Sequence, residues 1–174
     1  MNANPLVILF YLAALIAIVA SIKVVTRNNT VHALLYLVIS LVAVAVCFYL
    51  MGAPFAAGLE VIVYAGAILV LFVFAIMLFG LRQDETRLAP KNTGFSVWLG
   101  PCVLALCLLA ELVYVLQHDG IQAQLSATVV DSKQVGILLY GPYLLAVEIA
   151  SFLLLAGLIA GFHFAKPREQ GGDL

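Results

Sequence analysis

Glu60-Val61-Ile62-Val63-Tyr64-Ala65-Gly66 opens on a run, Val61 to Leu81, of 21 positions without a charged residue. At roughly 1.5 Å per residue such a run reaches about 30 Å as a helix, the thickness of the hydrocarbon core of a bilayer. Glu60 stands at the edge of that stretch, and an acid at the centre of a membrane helix costs about 2.5–3.5 kcal/mol on insertion scales. An ionisable group kept in such surroundings points to protons, ions or a conformational switch.

The same pattern repeats along the chain. Uncharged runs cover residues 1–22, 33–59, 61–81 and 92–110, and a fifth follows Lys133, broken only by Glu148 before His163. A chain of 174 residues that is 65% hydrophobic and 10% charged does not read as a soluble domain, in which about a quarter of residues are charged. The pattern predicts an all-α integral membrane protein with five transmembrane helices forming one membrane domain over residues 1–174. The spans fall at about 5–25, 31–51, 55–80, 95–117 and 142–165. Residues 118–141 form an outer loop whose apolar second half, Val135 to Tyr140, suits an interface, and residues 166–174 form a flexible inner tail. Met1-Asn2-Ala3-Asn4 carries no Lys or Arg, so the first run reads as a span and not as a cleaved signal peptide.

Orientation follows from the basic residues. With the N-terminus outside, Lys23, Arg27, Arg82, Arg87, Lys91, Lys166 and Arg168 all fall on the inner face and only Lys133 on the outer. That bias predicts a periplasmic N-terminus and a cytoplasmic C-terminus. Pro54 and Pro142 stand near helix starts, where a missing N–H is harmless, and Gly52-Ala53-Pro54 makes the second and third spans antiparallel neighbours. Asn28-Asn29-Thr30 offers caps for the second span.

Three acids lie inside spans: Glu60, Glu111 and Glu148. Glu60 is six residues after Pro54, Glu148 six after Pro142 and Glu111 six before Gln117, hence each about 9 Å deep, so the three share a layer in the outer half of the bilayer. Glu60 and Tyr64, at i and i+4, lie on one helical face. Either Glu60 acts on protons or it bonds a neighbouring helix as polar glue. The same alternatives hold for Glu148, with Ser151 one turn on. Glu111, beside Tyr114 and Gln117 close to the outer boundary, either reaches water there or acts with the other two acids. Gly66 between Ala65 and Ala67 serves either close helix packing or a π-bulge. Gly157-Leu158-Ile159-Ala160-Gly161 reads as a packing seam. His32 and His163 read as wet interfacial residues, and Tyr11, Tyr49, Trp98, Tyr114, Tyr140 and Tyr143 as an aromatic belt. Cys47, Cys102 and Cys107 form no C-x-x-C pair and read as small apolar fillers. The sequence has no Gly-rich nucleotide motif, no metal-ligand spacing and no basic, aromatic-interleaved patch for nucleic acid.

Val31-His32-Ala33-Leu34-Leu35-Tyr36-Leu37, Leu59-Glu60-Val61-Ile62-Val63-Tyr64-Ala65-Gly66-Ala67-Ile68 and Val147-Glu148-Ile149-Ala150-Ser151-Phe152-Leu153-Leu154-Leu155 resemble the membrane subunit J of bacterial NADH:quinone oxidoreductase, respiratory complex I. The resemblance covers most of residues 5–165 and departs at Thr30, where many relatives carry proline; Glu111 matches no acid of the family. It implies a non-redox subunit of the bacterial inner membrane, packed in the membrane arm beside subunits of types A, H, K and N and in lipid. No cofactor or catalytic residue is implied on this chain. NADH, FMN, iron–sulfur clusters and quinone belong to the whole complex, and the chain meets the quinone pool only indirectly. It further implies that Glu60, with Tyr64 and Glu148, serves proton relay or coupling. The hinge, a π-bulge that forms and relaxes, maps to Tyr64, Ala65, Gly66, Ala67, Ile68, Leu69 and Val70, which favours the hinge reading of Gly66. Other readings are a stand-alone proton-coupled carrier or antiporter-complex subunit, against which the lack of internal repeats argues, and a purely structural assembly subunit.

Overall fold

The computed structural model describes residues 5–27, 29–80, 96–118 and 129–165. Every regular element among them is helical: α1 (Pro5–Thr26), α2 (Thr30–Leu50), α3 (Pro54–Leu59), the π-helix π1 (Glu60–Ile68), α4 (Leu69–Gly80), α5 (Ser96–Gln117), α6 (Ser132–Tyr140) and α7 (Leu144–Ala165). α3, π1 and α4 run on as one span, so the described residues hold five helices long and apolar enough to cross a membrane. The chain divides into two compact units, Met1–Val130 and Asp131–Leu174.

In the first unit, local chemistry sets the helix ends. Asn29 is the N-cap of α2, its side-chain oxygen accepting from the N–H groups of Val31 at 3.0 Å and His32 at 3.4 Å. These are two of the donors that a helix start leaves without intrahelical partners. At the other end Ala53 N–H donates to the Phe48 carbonyl and Gly52 N–H to the Tyr49 carbonyl, both at 3.0 Å. That pair of bonds is a Schellman motif, which needs a left-handed residue, and Gly52 supplies it with φ 80°. Pro54 then begins α3, where its fixed φ suits the first turn. The Val130 N–H donates to the Gly52 carbonyl at 2.9 Å, tying the chain beyond α5 to this turn.

The core of the unit lies between α1 and α2. Ala13, Ile16 and Ala20 form one stripe of α1, and Ile39, Ala43, Val46 and Leu50 the facing stripe of α2. Ala13, Ala20 and Ala43 are fully covered, and their small side chains let the two backbones approach closely. A polar clasp crosses the same seam: the Ser21 and Ser40 hydroxyls are 2.8 Å apart, and Ser40 Oγ donates to the Ala17 carbonyl at 3.3 Å. α5 adds Leu108 and Val115 to this core. A Cβ on Gly100 would fall on the Tyr36 hydroxyl, so glycine lets α5 approach α2 there.

In the second unit, Asp131 caps α6, its side chain accepting from the Ser132 N–H at 2.8 Å. The apolar second half of the segment read as a loop is therefore helical, because a cap and an unbroken run follow one another. Gly141-Pro142-Tyr143 makes a turn and α7 starts at Leu144, two residues beyond the expected Pro142. The Tyr143 N–H donates to the Leu138 carbonyl at 3.1 Å and closes that turn. Within this unit nothing packs on Gly157 or Gly161, so the expected seam has no counterpart there.

Candidate functional site

The third span is the only one among the described residues whose backbone leaves α-helical geometry. Glu60 is the first residue of the nine-residue π-helix. Its end is marked by the Leu69 N–H, which donates to the Tyr64 carbonyl five residues back as well as to Gly66. The π bonding covers Tyr64, Ala65, Gly66, Ala67 and Ile68 of the expected hinge. It begins four residues earlier at Glu60, while Leu69 and Val70 already belong to α4.

Gly66 sits where the widened turn is most crowded. A Cβ at this position would stand 3.2 Å from the carbonyl oxygen of Val61, five residues back. In an α-helix the carbonyl aligned with a residue's N–H is four residues back. The close approach of Val61 is thus specific to the π turn. Packing against a neighbouring helix is not what Gly66 provides within this chain.

Glu60 is partly covered, and Tyr64 is 52% exposed. Among the described residues neither side chain makes a hydrogen bond, to the other or elsewhere, so the pairing expected from their spacing is not made. Val61, Ile62 and Val63 are exposed as well. The acid and phenol stand on a span that this chain leaves largely open. Glu148 lies in the second turn of α7, uncovered by α6. Ser151 Oγ donates at 2.7 Å to the backbone carbonyl of Glu148 and leaves the carboxylate free of it.

The structure corrects the reading of Glu111. Instead of reaching water, it is 4% exposed, because it shares a stripe of α5 with Leu108 and Val115, which enter the α1–α2 core. Spacing of three and four residues ties these positions together, but no polar face marks that stripe as the inner one. His32 is partly covered; its Nδ1 is buried without a hydrogen-bond partner, and the ring meets Trp98 edge-on at 6.1 Å. Arg27 lies 5.6 Å above the Tyr36 ring, a cation–π distance. Cys47 is on α2 and the exposed Cys102 and Cys107 on α5. Among the described residues no three His, Cys, Asp or Glu side chains gather to hold a metal ion.

Five helices long and apolar enough to cross a membrane, one of them with an acid at the head of a π-helical segment, define a polytopic membrane protein. The chain belongs to the NADH-ubiquinone/plastoquinone oxidoreductase chain 6 family, whose model matches residues 20–164. It is 52% identical over 157 residues to NADH-quinone oxidoreductase subunit J of Pseudomonas aeruginosa, covering 90% of this chain and 95% of that protein. To the subunit J of Escherichia coli (strain K12) it is 47% identical over 162 residues, covering 93% and 88%. The subunit J of Buchnera aphidicola subsp. Schizaphis graminum is 41% identical over 160 residues, covering 92% and 98%.

Proposed function

We propose that this chain is a membrane-arm subunit of a proton-translocating NADH:quinone oxidoreductase of the bacterial inner membrane, where it couples quinone reduction to proton translocation. The observation that carries this reading is the coincidence of an acid and a backbone irregularity: Glu60 is the first residue of π1. A π turn holds an extra residue. Relaxing it to an α turn rotates the remainder of the span by about 100°, the angle one helical residue subtends. A change of charge on Glu60 and a rotation of α4 are thereby linked through one stretch of backbone.

Glu60 is the proton-relay or electrostatic group, and Tyr64 presents its hydroxyl to the neighbouring subunit that covers this face. Glu148 is a second polar station whose partners lie outside α6 and α7. The Lys and Arg distribution supports a periplasmic N-terminus and a cytoplasmic C-terminus. Partners are membrane subunits of types A, H, K and N. Among the described residues the three cysteines join no metal-ligating cluster. They do not fit an iron–sulfur cluster, which takes four thiolates. We assign NADH, FMN, the clusters and quinone to other subunits, with this chain contributing binding surface, charge and movement.

The test is Glu60→Gln in the assembled complex. Proton pumping and NADH:quinone turnover are measured in membrane vesicles, with assembly checked by native electrophoresis. Pumping or turnover falls while assembly survives. Normal pumping and turnover in a fully assembled variant would remove Glu60 from the mechanism. Transport by the purified chain alone in liposomes would instead favour a stand-alone carrier.

A further inference from the structure

Glu111 is the one buried acid among the described residues, and the coupling mechanism makes no use of it. Both carboxyl oxygens are sealed from the surface, and neither has a hydrogen-bond partner among the described residues. The group lies between Leu108 and Val115, one turn away on either side, and both of these pack into the α1–α2 core. Of the hydrophobic residues packed on this core, Cys47 and Tyr49, both on α2, are titratable.

This enclosure decides what can satisfy the group. Neighbouring subunits cover a chain from outside, so none of them reaches atoms that have no surface. The occupant must therefore be small and internal. A hard cation takes six or more oxygen ligands, whereas the core that Leu108 and Val115 enter is aliphatic, with Phe10, Cys47 and Tyr49 packed against it, and of these Tyr49 supplies the one side-chain oxygen. A bare carboxylate without a partner in such a core is strongly disfavoured. A proton is the occupant that fits.

We propose that Glu111 is a proton-binding site enclosed within this chain, separate from Glu60, and that it is held as the neutral acid between α5 and the α1–α2 pair. Exchange of that proton requires α5 to part from α1 and α2. Pro101 lies inside α5, where the missing N–H removes one helical hydrogen bond and eases bending. The site stands whether or not Glu60 has the role proposed above, because it rests on burial and not on the π-helix.

The experiment compares the infrared spectrum of the purified whole complex with that of its Glu111→Gln variant at neutral pH. The expected result is a carboxylic-acid carbonyl band in the parent that is lost in the variant and shifts only slowly after transfer to D2O. Glutamine has the shape of the neutral acid, so the variant assembles as the parent does. No band difference would overturn the proposal, since it would mean an ionised group. Immediate deuterium exchange would overturn the enclosure. Failure of Glu111→Gln to assemble would overturn it as well, because the negative charge would then be what the fold requires.

Discussion

Replacing Gly66 by alanine loads the π turn and leaves an α turn untouched. In the π geometry the added methyl would stand 3.2 Å from the Val61 carbonyl oxygen, so the backbone must give by a few tenths of an ångström. Overpacking of that kind costs on the order of 1 kcal/mol. Alanine's higher helix propensity, worth about 0.8–1.0 kcal/mol over glycine, applies to both ordered forms and cancels between them. It does not cancel against the unfolded chain, so overall stability is held. In the proposed exchange between π and α forms, a shift of about 1 kcal/mol moves the balance by about five-fold toward the α form. The assay is NADH:quinone turnover and proton pumping in vesicles carrying the assembled Gly66→Ala complex, with thermal stability measured alongside. Turnover falls by up to this factor while the melting temperature stays level. Gly58→Ala is the control: it lies in α3 of the same span, and its added methyl meets nothing within 4 Å in this chain. An assembled Gly66→Ala complex with unchanged turnover and an intact π segment would refute the reasoning, since the balance would then not matter or the contact would not be felt.

Other perturbations test the frame around this span. Gly100→Ala drives a methyl onto the hydroxyl of Tyr36, which is buried and cannot swing away; the overpacking costs about 1–3 kcal/mol and lowers the melting temperature of the purified complex. Adding Tyr36→Phe restores most of the loss, because the next ring atom would be 3.5 Å from the new methyl, an ordinary contact. Asn29→Ala strips two N–H groups at the start of α2 of their acceptor and destabilises the first unit by about 1 kcal/mol, read as a lower midpoint in thermal unfolding.

Much of the architecture is visible in the order of residues. Long uncharged runs had to become helices because a bilayer supplies no partners for backbone N–H and C=O groups. The Gly52-Ala53-Pro54 turn and the Asn29 cap rest on equally local chemistry, and both are present in the structure. α6 shows where local reading fell short. Its Asp131 cap and apolar run were both present in the sequence, but a short helix between two longer spans has no hydropathy signal of its own.

Glu60, Tyr64 and Gly66 were legible as polar or small intrusions in a span, since contrast with apolar neighbours needs no knowledge of packing. The role of each neighbour was not. Membrane helices that are apolar all round have no polar face to show which stripe turns inward. Only the packing of α5 on α1 and α2 decided that Glu111 is sealed while Glu60, on a more open span, is not. The backbone bond pattern of π1 belongs to the same class of fact, because an extra residue in a turn changes hydrogen-bond partners without changing composition. Hydropathy is a property of residues taken one at a time, and it set the number, length and limits of the spans. Which acid is enclosed, which is open and where the helix widens depend on the rotational phase of each helix against its neighbours, and that exists only once the chain has packed.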